Sequence, residues 1–519
     1  MRLPASICIA ALVGVPAVLI GCAVGPDFKA PEAPVPPNWS AKDDPRIATQ
    51  TAADALWWRE FNDSTLDRLI ELAYRQNLPL QVAGLRIMEA RAQLGIATGS
   101  QFPQQQEIFA GAEAVGLTQA QTNIVSPDRL SRNYLGYQVG FDAAWELDFW
   151  GKYRRGVQAE AAGLLASVAD YYSALVSLTA EVARTYATIR TFEVRVETAR
   201  ENVAIQEDGL RIAESRFRNG AAPELDVAQA TTLLESTRAT VPQLEISVQQ
   251  ARNAMSMLLG QPPHTLDAML AGPKEIPSAP TKIAVGMPAE MLRRRPDIRG
   301  AELFAAAQCA RIGLAKADLY PSFSIVGTVG LQAASTGIAP HNLFTGDSLF
   351  YSVGPQINWP FFNYGRLENK VRVQDARFQQ LLVDYRNTVL KAAQEVEDAL
   401  TGFLKSKEAI EFGENALKAA QRSVEISISA YQQGAVDYQR VLDAERSLLE
   451  QQTGLTQTRS AVATNLIALY KALGGSWEVG RDQPFVPERT QDEMRERTNW
   501  GDLLSEPRGV EKKPASGKP

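Results

Sequence analysis

Few side chains in this 519-residue sequence stand where they could do chemistry. Its two histidines, His264 and His341, each follow a proline in a loop-like stretch. Neither has a cysteine, a histidine or a carboxylate at metal-ligand spacing. No Walker A run and no G-x-S-x-G is present. Gly327-x-x-Gly330 falls in a strand pattern and is too short to cradle phosphate. Carboxylates are plentiful, but solvated helix faces carry them by default. The expectation is a chain with no catalytic residue, no metal site and no cofactor, which argues against an enzyme. Lys plus Arg is 53 and Asp plus Glu is 59, and the net charge of −6 argues against nucleic acid as a partner.

One thiol has a chemical use. An apolar run over 3–21, preceded by Arg2, reads as an export signal. It ends in Leu19-Ile20-Gly21-Cys22, which resembles the lipobox of bacterial lipoproteins, although Ile20 stands where a small residue is usual. In that class the peptide is cut before the cysteine, which is then acylated. The lipidation site is therefore expected at Cys22. A plain secretory signal is the alternative. Ala23 follows, where Asp would hold a lipoprotein in the inner membrane, so the outer membrane is expected. Several acyl chains anchor firmly where one would not. An acylated Cys22 cannot pair, and Cys8 lies in the signal, so no disulfide framework is available. Cys309 falls among small residues and is expected to be packed.

The positioning elements begin with two alternating stretches. Tyr137, Val139, Phe141, Ala143, Trp145 and Leu147 interleave with Gln138, Gly140, Asp142, Ala144 and Glu146. Tyr351, Val353, Pro355, Ile357 and Trp359 interleave with Ser352, Gly354, Gln356 and Asn358. A period of two puts one set on each strand face. The pattern suits a barrel wall between lipid and a wet lumen, and equally a half-buried soluble strand.

The chain also repeats itself. Trp145 recurs as Trp359, Gly151 as Gly365 and Asn219-Gly220-Ala221 as Gln433-Gly434-Ala435, all at an offset of 214. An offset of 218 aligns the segment before, as in Phe102-Pro103 with Tyr320-Pro321. Each repeat reads helix, strand, strand, long helix, turn, long helix. Heptad spacing runs through Tyr171, Leu175, Leu178, Val182, Tyr186 and Ile189, and through Val241, Leu244, Val248, Ala251, Met255 and Leu258. A helix from about Gly156 to Phe217 would be roughly 90 Å long. Such lengths favour antiparallel coiled-coil hairpins over a globule, with Pro242 expected to loosen its helix locally. Four strands cannot close a membrane barrel, and open edges in lipid cost several kcal/mol per backbone group. Copies must therefore share one barrel.

The chain resembles the outer-membrane factor family, the TolC/OprM-like channels, and within it the lipoprotein branch. The resemblance is carried by Cys22-Ala23-Val24-Gly25-Pro26-Asp27-Phe28, Trp57-Trp58-Arg59-Glu60-Phe61, Arg294-Arg295-Pro296-Asp297-Ile298-Arg299, Phe362-Asn363-Tyr364-Gly365-Arg366, Glu395-Val396-Glu397-Asp398-Ala399-Leu400 and Leu442-Asp443-Ala444. It implies a mixed α and membrane-β fold: a homotrimer with a 12-stranded β-barrel in the outer membrane, continued by a 12-helix coiled-coil α-barrel through the periplasm. It implies docking to a periplasmic adaptor (membrane fusion) protein and an inner-membrane pump of the RND type, in contact with outer-membrane lipid. Asp443 matches a family carboxylate pointing into the periplasmic constriction. Arg440 stands where some members are acidic. Asp226 matches a residue that bonds to the position of Tyr431 and helps latch the closed state, or else serves as a helix cap after Pro223. Leu225 and Val436 match a second latch but cannot form a polar bond. Gly220 and Gly434 mark the tips that would meet the adaptor, and Trp145 and Trp359 an interfacial aromatic belt.

The expected organisation is a signal over 1–21, an acylated arm over 22–62, a first repeat over 63–260 and a connecting segment over 261–287. A second repeat over 288–474 and a polar tail over 475–519 follow. Within the repeats, strands are expected at 105–117, 134–148, 321–333 and 349–361, and hairpins at 152–260 and 366–474. The tail is expected to be largely disordered beyond the part that packs. The functional expectation is a passive exit channel for drugs or other small toxic compounds, gated at the periplasmic helix tips. A duct for protein or peptide secretion and a periplasmic coiled-coil adaptor are the alternatives.

Overall fold

A computed structural model describes residues 23–32, 35–48, 56–118, 133–272, 274–280, 282–286, 294–335, 342–480 and 483–504. Cys22, the signal and His341 lie outside the described residues. The elements are α1 (Ser64–Gln76), α2 (Leu78–Gly99), β1 (Gln105–Gly116), β2 (Asn133–Glu146), α3 (Lys152–Arg218), α4 (Glu224–Leu258), α5 (Pro296–Ala317), β3 (Ser322–Ser335), β4 (Leu349–Asn358), α6 (Arg366–Gln432), α7 (Tyr438–Ala472) and α8 (Glu488–Arg497). The repeat is borne out in length: α3 and α6 each have 67 residues, and α4 and α7 each have 35.

Two compact units result, and α2, α3, α5 and α6 contribute residues to both. One unit comprises 1–31, 89–165 and 302–383, and holds an antiparallel sheet in the order β1-β2-β3-β4. Its register aligns Ile108 with Phe141, Phe141 with Val329, and Val329 with Tyr351. Residues opposite one another share a face, so these four form one apolar row. All four are exposed. The next position along gives Glu107, Asp142, Thr328 and Ser352 on the other face, where Thr328 Oγ1 donates to Asp142 Oδ1. One face thus carries a greasy row and the other a polar row across all four strands.

Two glycines on the polar face have a steric reason. A Cβ on Gly140 would meet the Phe109 ring at 2.6 Å, and one on Gly330 the Phe350 ring at 2.8 Å. Each aromatic ring lies over the glycine opposite it. The strand ends are tied by tryptophans. Trp145 Nε1 donates to Gln101 O at 3.2 Å, and Trp359 Nε1 to Leu319 O at 3.1 Å. Both bonds join positions equivalent under the repeat, each holding a strand end to the residues that follow α2 or α5.

The N-terminal arm docks in this unit. Arg155, nearly buried, donates to Val24 O at 3.2 Å and to Asp27 Oδ1 at 2.9 Å. Gly25, at φ +101°, lies so close to Gly313 that a Cβ would sit 2.4 Å from its Cα. The Val24–Asp27 motif is therefore read by packing as well as by charge. Cys309 is buried and unpaired, with Sγ 3.6 Å from Pro26 O.

The other unit comprises 32–88, 166–301 and 384–519. Its core follows the α3 heptad: Tyr171, Leu175, Leu178, Val182, Tyr186 and Ile189 are all buried, as are Leu455, Val462, Leu466 and Leu469 on α7, whereas on α4 only Met255 of the heptad is buried and Val241, Leu244, Val248, Ala251 and Leu258 are half-buried. Pro242 lies inside α4 without ending it. Pro242 is exposed, as is Arg238, whose carbonyl loses its helical donor there. Trp57 and Trp58 are buried in a 3₁₀ turn, and Trp57 stacks on Tyr470 at 5.1 Å.

The repeat-related joints use different chemistry at one station. Asn77 Nδ2 donates to Leu258 O at 2.8 Å, capturing the end of α4. In the second repeat Arg295 holds that place and donates to Ala472 O at 2.9 Å, at the end of α7. Arg295 also pairs with Asp297 at 2.7 Å and Glu395 at 2.8 Å, which accounts for the Arg295–Asp297 motif as a clamp. A buried polar chain crosses α3. Tyr186 donates to Asp63, Arg190 donates to Tyr186 and to Glu193 Oε2 at 2.7 Å, and Arg252 reaches Glu193 Oε1 at 2.7 Å. Part of the tail packs. Phe485, Val486, Met494 and Leu504 are buried around α8, because these few apolar side chains find cover despite the polar composition.

Candidate functional site

The turn joining α3 to α4 is built by Gly220 at φ +70°, a backbone that a side chain would strain. Ala221 N donates to Arg216 O at 2.8 Å and Gly220 N to Phe217 O at 2.9 Å, so the last carbonyls of α3 are satisfied as in a Schellman end. The second turn repeats this with Gly434 at φ +76° and Ala435 N donating to Ala430 O at 2.9 Å.

Four helices converge behind these turns. Ala213 of α3, Ala230 and Leu233 of α4, Tyr431 of α6, and Tyr438 and Leu442 of α7 form one buried cluster. The rings of Tyr431 and Tyr438 meet edge to face at 5.0 Å. Tyr431 Oη donates to Asp226 Oδ2 at 2.8 Å, with both residues buried. Burial, and then the bond to Asp226, hold the Tyr431 phenol above its ordinary pKa. Asp226 also lies in the first turn of α4, where the helix dipole favours a negative charge.

Arg216 is the residue that sequence reasoning missed. Its guanidinium stacks 4.7 Å from the Tyr431 ring centroid and donates to the carbonyls of Tyr431 and Gln432, the latter at 3.0 Å. It also donates to Ala221 O at 3.1 Å. One cation thus clasps both turns, and the Tyr431 and Gln432 carbonyls it bonds carry the negative end of the α6 dipole. The available signal was a basic pair, Arg216 and Arg218, in the last turn of α3.

The remaining site residues are not drawn into this cluster. Asp443 is exposed on α7, accepts from Gln439 Nε2 at 2.9 Å and lies 4.0 Å from Arg446. Arg440 is exposed one turn earlier. Leu225 is largely exposed, whereas Val436 packs against the tyrosine cluster. His264 is exposed, and no group of three or more metal-binding side chains occurs among the described residues.

A sheet with a greasy row on one side and a polar row on the other, together with duplicated long helical hairpins, defines the class of outer-membrane exit channels. Residues 69–261 and 287–475 match the family described as Outer membrane efflux protein, and the chain belongs to it. The chain is 30% identical over 461 residues to "Cation efflux system protein CusC" of Escherichia coli O6:H1, spanning 89% of this chain and 97% of that one. It is also 30% identical over 465 residues to "Antibiotic efflux pump outer membrane protein ArpC" of Pseudomonas putida, spanning 89% and 94%. Among solved structures, the outer-membrane channel OprN matches with a TM-score of 0.82 and 32% identity, over 88% of this chain and 100% of that one. The protein is thus an outer-membrane efflux channel component, in a family of efflux proteins rather than enzymes. Neither the secretion duct nor the periplasmic adaptor draws support from these likenesses.

Proposed function

We propose that three copies of this chain share a 12-stranded barrel and form a passive duct for small toxic compounds, closed at the hairpin tips. The observation that carries this is the sheet itself. Its outer strands β1 and β4 each have one partner among the described residues, while an apolar row spans all four strands. Eight strands would leave an interior that side chains fill, so a conducting pore favours three copies over two. Acylation at Cys22 anchors the arm, and Trp145 and Trp359 sit at the lipid interface.

The chain does no chemistry of its own in this reading and takes its energy from partners: a periplasmic adaptor docked at the Gly220 and Gly434 tips, and an RND-type inner-membrane pump. The relatives' names cover cations and antibiotics, which supports a duct whose cargo is selected by the pump. Asp226–Tyr431, clasped by Arg216, is the closed-state latch. Asp443, once per copy, supplies a carboxylate ring that attracts cations, with Arg440 weakening the preference. The test is single-channel recording in planar bilayers. Asp443→Ala should raise conductance and lower cation preference; unchanged values would remove Asp443 from the gate.

A further inference from the structure

Close to the Tyr431–Asp226 bond lies a carboxyl group with nothing to bond. Glu445 of α7 is 1% exposed, and neither of its carboxylate oxygens has a hydrogen-bond partner among the described residues. It packs on α3 at Gly209. A Cβ there would lie 3.1 Å from Glu445 Oε1 and 3.0 Å from Tyr438 Oη, so only a glycine leaves both side chains their present room. Gln206, one turn away on α3, is also buried, with both amide atoms unpartnered among the described residues. On α7 itself, the flanking Ala444 and Leu448 are packed into apolar contacts with α6.

The charged and titratable groups around Glu445 are few. On α3, Gly209 faces it and the neutral Gln206 lies one turn away. Tyr438 is the titratable neighbour on α7. Beyond it Tyr431 of α6 bonds Asp226 of α4, and Arg216 is spent on the Tyr431 ring and the turn carbonyls. No Lys or Arg forms an ion pair with Glu445 among the described residues. Burial without compensation disfavours the charged form. It pushes the carboxyl from an ordinary 4.5 up to about 7.

We propose that Glu445 makes the hairpin tips proton-sensitive: it is neutral while α3 and α7 are packed together and charged when they part. This rests on reading the tips as the gate. A parted tip would return the carboxyl to water and to its ordinary pKa, so the packed form binds more protons between the two values. Packing is therefore favoured in acid, loses that advantage as pH rises from about 4.5 to about 7, and changes little above. Between pH 5 and 8 the packed-to-parted ratio should fall on the order of tenfold or more per chain.

The test uses the full protein in planar bilayers across pH 5 to 8. Wild-type conductance should rise with pH, and Glu445→Gln should stay at the acid level throughout. Infrared difference spectra of the wild type should show a protonated carboxyl band at pH 6 that is lost by pH 8 and is missing from Glu445→Gln. A Glu445→Gln channel that titrates like wild type, or a wild type without that band at pH 6, would overturn the inference. Tyr431→Phe should raise conductance at every pH. If it does not, the gate reading itself falls and takes this inference with it.

Discussion

Arg216, Tyr431 and Asp226 show how much a single side chain can do at a turn. A guanidinium that donates to carbonyls of two separate hairpins fixes both turns at once, and its flat face covers the ring whose hydroxyl bonds Asp226. Hydrogen bonds to charged groups are individually worth about 1.5–3 kcal/mol. Such a joint can hold yet open when a partner supplies comparable energy. The acylation proposed for Cys22 belongs to the same scale. Cys22→Ala should abolish incorporation of labelled fatty acid while leaving the protein folded, because the arm beyond it is held by Arg155 and the fit of Gly25 on Gly313. Continued labelling would disprove the lipobox reading.

Helices and strands explain why the repeats are copies in length but not in chemistry. Each long hairpin must be closed at its far end, where the second helix stops. The first repeat captures that end with the neutral Asn77, the second with Arg295 and its two carboxylates. The buried Arg190–Glu193–Arg252 chain serves only the first repeat. Arg190 is 0% exposed, so deleting its partner would leave a charge stranded. Glu193→Ala should cost about 3–5 kcal/mol in stability. Thermal or denaturant unfolding of the detergent-solubilised protein checks this, and a loss below about 1 kcal/mol would mean the pair is not isolated from water. The sheet obeys a different rule, in which glycines on the polar face make room for the rings of Phe109 and Phe350.

At the level of the whole molecule, a sheet of four strands whose two outer edges have no partner among the described residues demands company. An open edge in lipid leaves backbone groups unsatisfied, at several kcal/mol each. Cysteines placed on β1 and β4 should form disulfides between copies and yield a covalent trimer on denaturing gels. A stable monomer, or a dimer as the largest product, would rule out the shared barrel.

Period-two alternation around Tyr137 and Tyr351, heptads on the long helices and the offset of 214 made the mixed fold legible without coordinates. These are local patterns imposed by strand and helix geometry. The Asp226–Tyr431 bond and the two turn glycines were also legible, because family motifs mark them. Arg216, Glu445 and the matched roles of Asn77 and Arg295 were not. Each depends on which side chain of one helix meets which atom of another, across separations of up to 236 residues for Gly209 and Glu445. No local periodicity encodes that. Packing alone decided that one carboxylate of α7 lies in water at Asp443 while another, two residues on, is sealed away at Glu445. The 100° step between successive helical residues turns such close neighbours toward different faces, and only the neighbouring helices determine which face is dry.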